Sequence, residues 1–388
     1  MTIHRGYKYR IYPNAVQIAL IASILGCCRF VYNHFLAVRR DAWKDRKESV
    51  SYTLTSSMLT ILKRDPDHLW LAGVDSMALQ EALRDLDKAF SNFFEKRAGY
   101  SRFKRKHDSE QSYRTRNQDN GIRIDGGRIK LPRLGPVKAK ISRMPNGRIL
   151  NATVSRTATG KYFVSLCVEE ELVPKPNNGG ETGIDLGIKE LYVDSNDAHV
   201  ANPKYLAKYE KQLRREQRKL SRMIEANIAG YTKNRKPIYK RPFSECKNIQ
   251  KQRIKVAKVH EKIYNCRTDN LHKAANRLVN ENQVIAVESL NIKGMVRNHR
   301  LAKAISDASW GRFLTILEYK AFEHGCEVIK IPTFYPSSQT CSSCGFRNPR
   351  VKDLSVRSWV CPECGVVHDR DHNAAMNILK VALDAPAA

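Results

Sequence analysis

The stretch CPECGVVHDRDHNAAMNIL, residues 361–379, decides how the C-terminal half of this chain is read. A C-x-x-C pair and its glycine run, within a few residues, into two aspartates at the mouth of an apolar-periodic segment. A metal knuckle is therefore adjacent to a helix that opens on acids. The matching knuckle lies upstream: Cys341-x-x-Cys344 is followed, after sixteen residues, by Cys361-x-x-Cys364, and Gly345 and Gly365 follow the two pairs. Paired spacing of this kind is the pattern of a four-thiolate ribbon holding one Zn²⁺, and four protein ligands leave no open position, so the expected zinc is structural. The other cysteines, Cys27, Cys28, Cys167, Cys246, Cys266 and Cys326, are scattered, which points to metal binding in a reducing compartment and not to a disulfide framework.

The 388 residues leave room for two or three domains, and a 42% hydrophobic content can furnish real cores, so the chain is not of the disordered class. Its net charge of +29 calls for a polyanionic partner. Solvated lysine-rich helix faces explain part of the excess, but nucleic acid fits the whole of it better than an acidic membrane surface does. The longest apolar run, IALIASILGCC at 18–28, is shorter than the ~20 residues of a membrane span, and the N-terminal MTIHRGYKYRIYP has no apolar signal core. A cytoplasmic protein without a membrane partner is expected.

The opening YKYRIYP alternates apolar with basic residues up to Pro13 and reads as a strand, and helical periodicity follows it. Leu79, Ala82, Leu83, Leu86, Ala89, Phe90 and Phe93 recur at spacings of three and four, which predicts an amphipathic helix. Hairpins are expected around Gly126-Gly127 and Thr159-Gly160. Residues 1–14 and 103–172 thus read as a β-barrel-like, wedge-like module, with 15–102 a helical insert after its first strand. Residues 173–180, with Pro174, Pro176, Gly179 and Gly180, read as a linker. Beyond it come short strands from Thr182, basic helices from about Tyr205 and Asn248, the buried-type strand NQVIAVESL, the helix WGRFLTILEYKAFEHG, the strand CEVIKIP and the last helix. The fold class is therefore α+β and α/β, in two lobes.

Three acids stand at telling places in that second lobe. Asp185 in GIDLG has apolar neighbours Ile184 and Leu186, so strand alternation turns its carboxylate to the opposite face. Glu288 ends the run VIAV, and Asp371 opens the terminal helix. Each has a plainer reading: a surface acid, a solvating strand end, and, for Asp371 or Asp369, a helix N-cap. The order of elements weighs against the plain readings. Strands, helix, strand, helix, strand, helix, with acids on the first strand, the fourth strand and the last helix, is the layout of a ribonuclease H-like domain over 181–335 and 367–388, with a ribbon inserted at 336–366. Such carboxylates can hold two Mg²⁺ ions about 4 Å apart that activate water and stabilise the leaving oxygen of a phosphodiester.

GIDLGIK, VESLNIKGM, SSQTCSSCG, SVRSWVCPECG and HDRDHNAAMNIL, in that order, strongly resemble the RuvC and zinc-ribbon half of the transposon-encoded TnpB family, compact relatives of type V CRISPR effector nucleases. YKYRIYP, LQEALRDLDKAFSNFF, GGRIKLPRLG and TATGKYFVSL extend the resemblance over nearly the whole chain. The resemblance implies a transposon-encoded, RNA-guided DNA endonuclease: a monomer on one guide RNA from the transposon end, cutting double-stranded DNA beside a short transposon-adjacent motif. It makes Asp185, Glu288 and Asp371, in preference to Asp369, the three RuvC acids, and it places Arg357 near them, where a guanidinium could stabilise developing phosphate charge. Ser289 stands where the family commonly has Asn, which leaves the carboxylate of Glu288 untouched.

For nucleic-acid contacts, the first basic helix offers Lys211, Arg214, Arg215 and Arg218 and the second Lys255 and Lys258, a channel for an RNA–DNA heteroduplex read through its backbone. Arg10, interleaved with Tyr7, Tyr9 and Tyr12, could grip RNA, although strand-core packing accounts equally for the tyrosines. Ser76 and Gln80 are polar positions on an otherwise packed helix in the region where relatives read duplex DNA, and Gln can pair with adenine in the major groove. Other classes stay open: a guided DNA-binding repressor that does not cut, a structure-specific nuclease needing no RNA, and a DNA-joining transposase.

The ribbon makes a prediction of its own. A bound zinc in small modules is worth roughly 10–16 kcal/mol of folding free energy, so Cys361→Ser is expected to lower both zinc content and soluble yield. Elemental analysis of the purified variant checks this, and a fully zinc-loaded, stable variant would contradict the ribbon.

Overall fold

A computed structural model describes residues 1–106, 108, 111–173 and 179–384. The prolines of the expected linker, Pro174 and Pro176, lie outside the described residues. The chain divides into two compact units, Met1–Leu172 and Val173–Ala388.

The first unit comprises β1 (Thr2–Tyr12), α1 (Ala15–Arg46), α2 (Tyr52–Leu62), α3 (Ser76–Phe94), β2 (Gln111–Arg116), β3 (Arg123–Asp125), β4 (Arg128–Leu131), β5 (Gly135–Lys140), β6 (Arg148–Arg156) and β7 (Tyr162–Glu171). Its strands form one antiparallel sheet in the order β2-β6-β7-β1-β5-β4-β3, a curl with two edges that does not close into a full barrel. Alternation along β1 buries Ile3, Tyr7, Tyr9 and Ile11 on the core face. Tyr7 and Tyr9 are therefore core residues, their hydroxyls bonded to Glu170 and to the Arg143 carbonyl, and they cannot stack on a base. The sheet packs on α1 and α3 through Ile21, Ile24, Val31, Phe35, Leu79 and Leu83. Asn14 and Gln17 start α1 with a reciprocal capping box. By length and composition α1 is long and apolar enough to cross a membrane, although the run of apolar residues at 18–28 is short; here its apolar side is taken up by this core.

The second unit runs β8 (Glu181–Leu186), β9 (Glu190–Asp194), β10 (His199–Ala201), α4 (Tyr205–Ala226), β11 (Ile228–Tyr231), β12 (Pro237–Tyr239), α5 (Lys247–Glu281), β13 (Val284–Glu288), α6 (Ile292–Met295), α7 (Ala302–Ala308), α8 (Trp310–His324), β14 (Glu327–Ile331), β15 (Ser358–Val360), β16 (Val367–Asp369) and α9 (Arg370–Asp384). Its main sheet has the order β10-β9-β8-β13-β14, with β8, β9 and β10 antiparallel and β13 parallel to both β8 and β14. That is the succession expected of a ribonuclease H-like domain. β13 is nearly continuously apolar because helices cover both faces. Ile285 and Val287 meet Leu271, Leu278, Phe313 and Leu317 of α5 and α8 on one side, while Ala286 meets Ile378 and Ala382 of α9 on the other.

One glycine sets how closely α9 approaches. A Cβ at Gly183 on β8 would lie 2.2 Å from the Ala375 carbonyl oxygen and 2.6 Å from the Leu379 nitrogen, and backbone cannot swing aside as a side chain can. Gly183→Ala is expected to destabilise the second unit by about 2 kcal/mol or more, the range of overpacked cores. Gly230→Ala, at a β11 position with nothing within 4 Å, should cost little by comparison. Denaturant unfolding of the two variants measures the difference.

Candidate active site and metal centre

Strand parity brings the acids together. Ile184 and Leu186 face the α5–α8 core, so Gly183 and Asp185 face α9; on β13 the same parity gives Ala286 and Glu288 the α9 face. The parallel register pairs Ile184 with Val287, so Asp185 and Glu288 end adjacent strands side by side, at the ~4.8 Å spacing of a sheet. On α9, Asp371 lies one turn before Ala375, the residue that abuts Gly183, so its carboxylate reaches the same strand ends.

The electrostatics of the strand ends follows from burial first and neighbouring charge second. Burial raises the Asp185 carboxyl well above the usual aspartate range, the neighbouring charges of Glu288 and Asp371 raise it further, and Arg370 and Arg357 oppose them. Burial likewise raises Glu288, against a hydrogen bond of 2.5 Å from the Ser337 hydroxyl to its Oε1. Arg357 extends one guanidinium nitrogen to 3.4 Å from Asp371 Oδ2, while its backbone carbonyl accepts from Arg370 N at 2.8 Å. Geometry tells the two aspartates apart. Asp369 Oδ1 accepts from the backbone N–H of Asp371 (2.9 Å) and of His372 (3.0 Å), so Asp369 is the N-cap, whereas the carboxylate of Asp371 turns to Arg357.

Three further side chains bind this arrangement together, and sequence reasoning passed over them. Asn373 and Asn377, four residues apart on α9 and almost fully buried, donate to the carbonyls of Ser337 and Thr340. Two amides at core positions of an apolar helix face were the available signal, because a buried amide has to be hydrogen-bonded. Ser337 is fixed by them and carries the hydroxyl that meets Glu288.

The ribbon's four thiols converge as expected. All four Sγ atoms lie within 4.8 Å of one another, with Cys341–Cys364 at 3.7 Å and Cys344–Cys361 at 3.6 Å. Zn–S bonds of about 2.3 Å in a tetrahedron require sulfur separations of about 3.8 Å, so the site fits zinc. Burial pushes the Cys341 thiol up, but the backbone N–H of Cys344 and the imidazole of His368, whose Nε2 lies 3.0 Å from Sγ, outweigh it and hold the thiol down at about 6. Among the described residues the four cysteines are the one group of three or more His, Cys, Asp or Glu that meets this closeness; the three acids are more open. Their hard carboxylate oxygens nevertheless suit Mg²⁺, which keeps several waters and takes few protein ligands.

The basic residues fall on separate faces. In the antiparallel α4–α5 pair, packed through Leu213, Val259 and Ile263, Arg215, Lys255 and Lys258 line one groove with Lys219 and Lys262. Arg214 and Arg218 line another with Arg222, and Lys211 is exposed outside both. In the first unit, Arg10 lies on the outer face of β1, its guanidinium over the rings of Tyr12 and Phe163. Ser76 is exposed and Gln80 half-buried, one turn apart on α3 just after its Asp75 cap.

Comparison with known proteins places these features. Residues 165–299 match the family described as "Probable transposase", residues 310–378 the "Cas12f1-like, TNB domain" and residues 1–48 a "Helix-turn-helix domain", although here those last residues form a strand and a single helix. A "Putative RNA-guided DNA endonuclease" of Streptomyces pristinaespiralis is 38% identical over 99% of this chain and 91% of its own. "Putative RNA-guided DNA endonuclease InsQ" of Escherichia coli K12 is 30% identical over 97% of this chain and 91% of its own. The fold is shared with the protein of a Cas12f1–sgRNA–target DNA complex, at TM-score 0.57 and 15% identity over 97% of this chain and 98% of that one. With its motifs, its fold and the near-complete match to these relatives, the chain belongs to the TnpB family of RNA-guided DNA endonuclease-like proteins.

Proposed function

We propose that this protein is an RNA-guided DNA endonuclease that hydrolyses phosphodiester bonds through Asp185, Glu288 and Asp371. The observation that carries the reading is the placement of Asp185 and Glu288 on adjacent strands, with Asp371 in the first turn of α9, on one face of a ribonuclease H-like sheet; burial and the two neighbouring acids raise the Asp185 carboxyl there. A fold does not keep three acids in mutual repulsion for stability, and perturbed carboxylates at strand ends mark functional sites. Divalent ions bound there, Mg²⁺ by ligand chemistry, would supply Lewis-acid activation of water and of the leaving oxygen. The chain's own part is positional. β8 and β13 fix Asp185 and Glu288 side by side, the Ser337 hydroxyl orients Glu288, and the Asp369 cap frees Asp371. Arg357, more than half exposed beside Asp371, is placed to meet negative charge on a phosphate entering the site.

The relatives' names support RNA guidance and DNA as the target, and the net charge of +29 with the two lysine- and arginine-lined grooves supports a phosphate backbone as the ligand. On this reading a guide RNA from the transposon end binds one copy of the chain in the cytoplasm, and Ser76 and Gln80 take part in reading a short adjacent DNA motif. Purification in high salt with the native flanking DNA present should yield one discrete RNA and cutting of a matched plasmid. Cutting of branched DNA without RNA would overturn the guidance and leave the nuclease.

Asp185→Asn separates the metal site from the rest. Cleavage should fall by about three orders of magnitude or more, since several kcal/mol of transition-state stabilisation is lost at about 1.4 kcal/mol per factor of ten, with target binding retained. Because the fold raises the Asp185 carboxyl, metal-free native protein holds that proton more tightly than the unfolded chain. Its stability contribution is present below the unfolded value of about 3.9 and is lost as pH rises through the raised folded value. The metal-free variant should therefore melt higher than the unchanged chain at neutral pH, which calorimetry in a chelator reads.

A further inference from the structure

We propose that Ser337, Asn373 and Asn377 form a positioning clamp that fixes Glu288 against Asp371, so that the base of the zinc ribbon sets the spacing of the acid site. The inference rests on the reading of the three acids as ligands of a divalent ion. Ser337 stands just before the first zinc knuckle and is 6% exposed, Asn373 1% and Asn377 2%. Asn377 Nδ2 donates to the Ser337 carbonyl at 2.8 Å and the Thr340 carbonyl at 2.6 Å. Asn373 Nδ2 donates to the Thr340 carbonyl at 2.7 Å and, more weakly, to that of Ser337 at 3.4 Å, while its Oδ1 accepts from Ser342 N at 2.9 Å. Two amides one helical turn apart thus grip two carbonyls of one turn of chain, and the hydroxyl of the gripped serine donates to Glu288.

The apolar packing of α9 on the sheet cannot do this alone. Burial of Ala286, Ile378 and Ala382 is non-directional and tolerates a small slide of the helix. Hydrogen bonds do not, because they weaken steeply with distance and angle. A slide of α9 would break the amide pairs, leave buried polar groups unpaired and carry Asp371 away from Glu288 together. Residues before, between and after the knuckles reach the site: Ser337 donates to Glu288, Arg357 approaches the Asp371 carboxylate, and Asp369 accepts from the Asp371 backbone.

The test uses the full chain freed of nucleic acid, with Mn²⁺ as the probe, its free concentration followed by electron paramagnetic resonance, and zinc content and melting recorded for every variant. Asp185→Asn should weaken Mn²⁺ binding; if it does not, the acids do not hold the ion, and the functional reading falls with the clamp. With that control met, Ser337→Ala should weaken Mn²⁺ binding about tenfold with zinc retained, and Ser337→Thr should recover most of it, as for groups that orient metal ligands. Asn377→Ala should also weaken it, and combining it with Ser337→Ala should add little, since both act through one hydroxyl. Ser337→Ala keeps the carbonyl that the amides grip, so it decides by itself even where Asn377→Ala disturbs packing. Mn²⁺ binding by Ser337→Ala within about twofold of the unchanged chain, or full additivity of the two substitutions, overturns the clamp.

Discussion

The gathering of three carboxylates at one end of the main sheet is the constraint on which the second unit is organised. The sheet supplies two of them at the ends of adjacent parallel strands, and the third arrives only because a helix backbone can rest on the bare α-carbon of Gly183. Any side chain there would lift α9 away, draw Asp371 from the strand ends and lessen the burial that chiefly raises the Asp185 carboxyl. The apolar cores on the two faces of β13 can be understood as the rigid mounting that holds this arrangement.

The zinc ribbon is chemically unlike the acid site and mechanically part of it. Its four converging thiols suit one zinc and would leave no position for substrate, so its contribution is stiffness. The β15–β16 pairing sets Trp359 opposite His368, and His368 in turn touches Cys341. The strand that leaves the cage becomes, at Asp369, the cap of the helix carrying Asp371. Metal, hairpin and helix start are consecutive links of one short piece of chain.

Much of this was legible in the sequence because it rests on period and spacing. Alternation around Asp185, the apolar run before Glu288, the two cysteine pairs and the hairpin glycines are local signals, and the elements formed where those signals lay. Tertiary signals were weaker. Tyr7 and Tyr9 could not be assigned to a face of β1 until their partners β5 and β7 were known. Asp369 and Asp371 are equivalent in sequence and are told apart by which carboxylate turns back to its own backbone. Ser337, Asn373 and Asn377 read as ordinary polar residues because their partners, the Glu288 carboxylate for the serine and main-chain carbonyls for the asparagines, lie more than thirty positions away, which no local pattern reports.

The strand order has a consequence for how the molecule comes into being. β8 and β13 are neighbours in the sheet but are separated in the chain by α4, α5 and the hairpin between them, and β13 in turn is closed off by α9 at the far end. During synthesis the first acid emerges early and waits through about half of the unit for the second, then through α8, β14 and the whole ribbon for the third. Pairings so distant in sequence form slowly, because loop closure comes before the contacts that reward it. The basic helices α4 and α5 are therefore complete in the growing chain well before its three acids can meet.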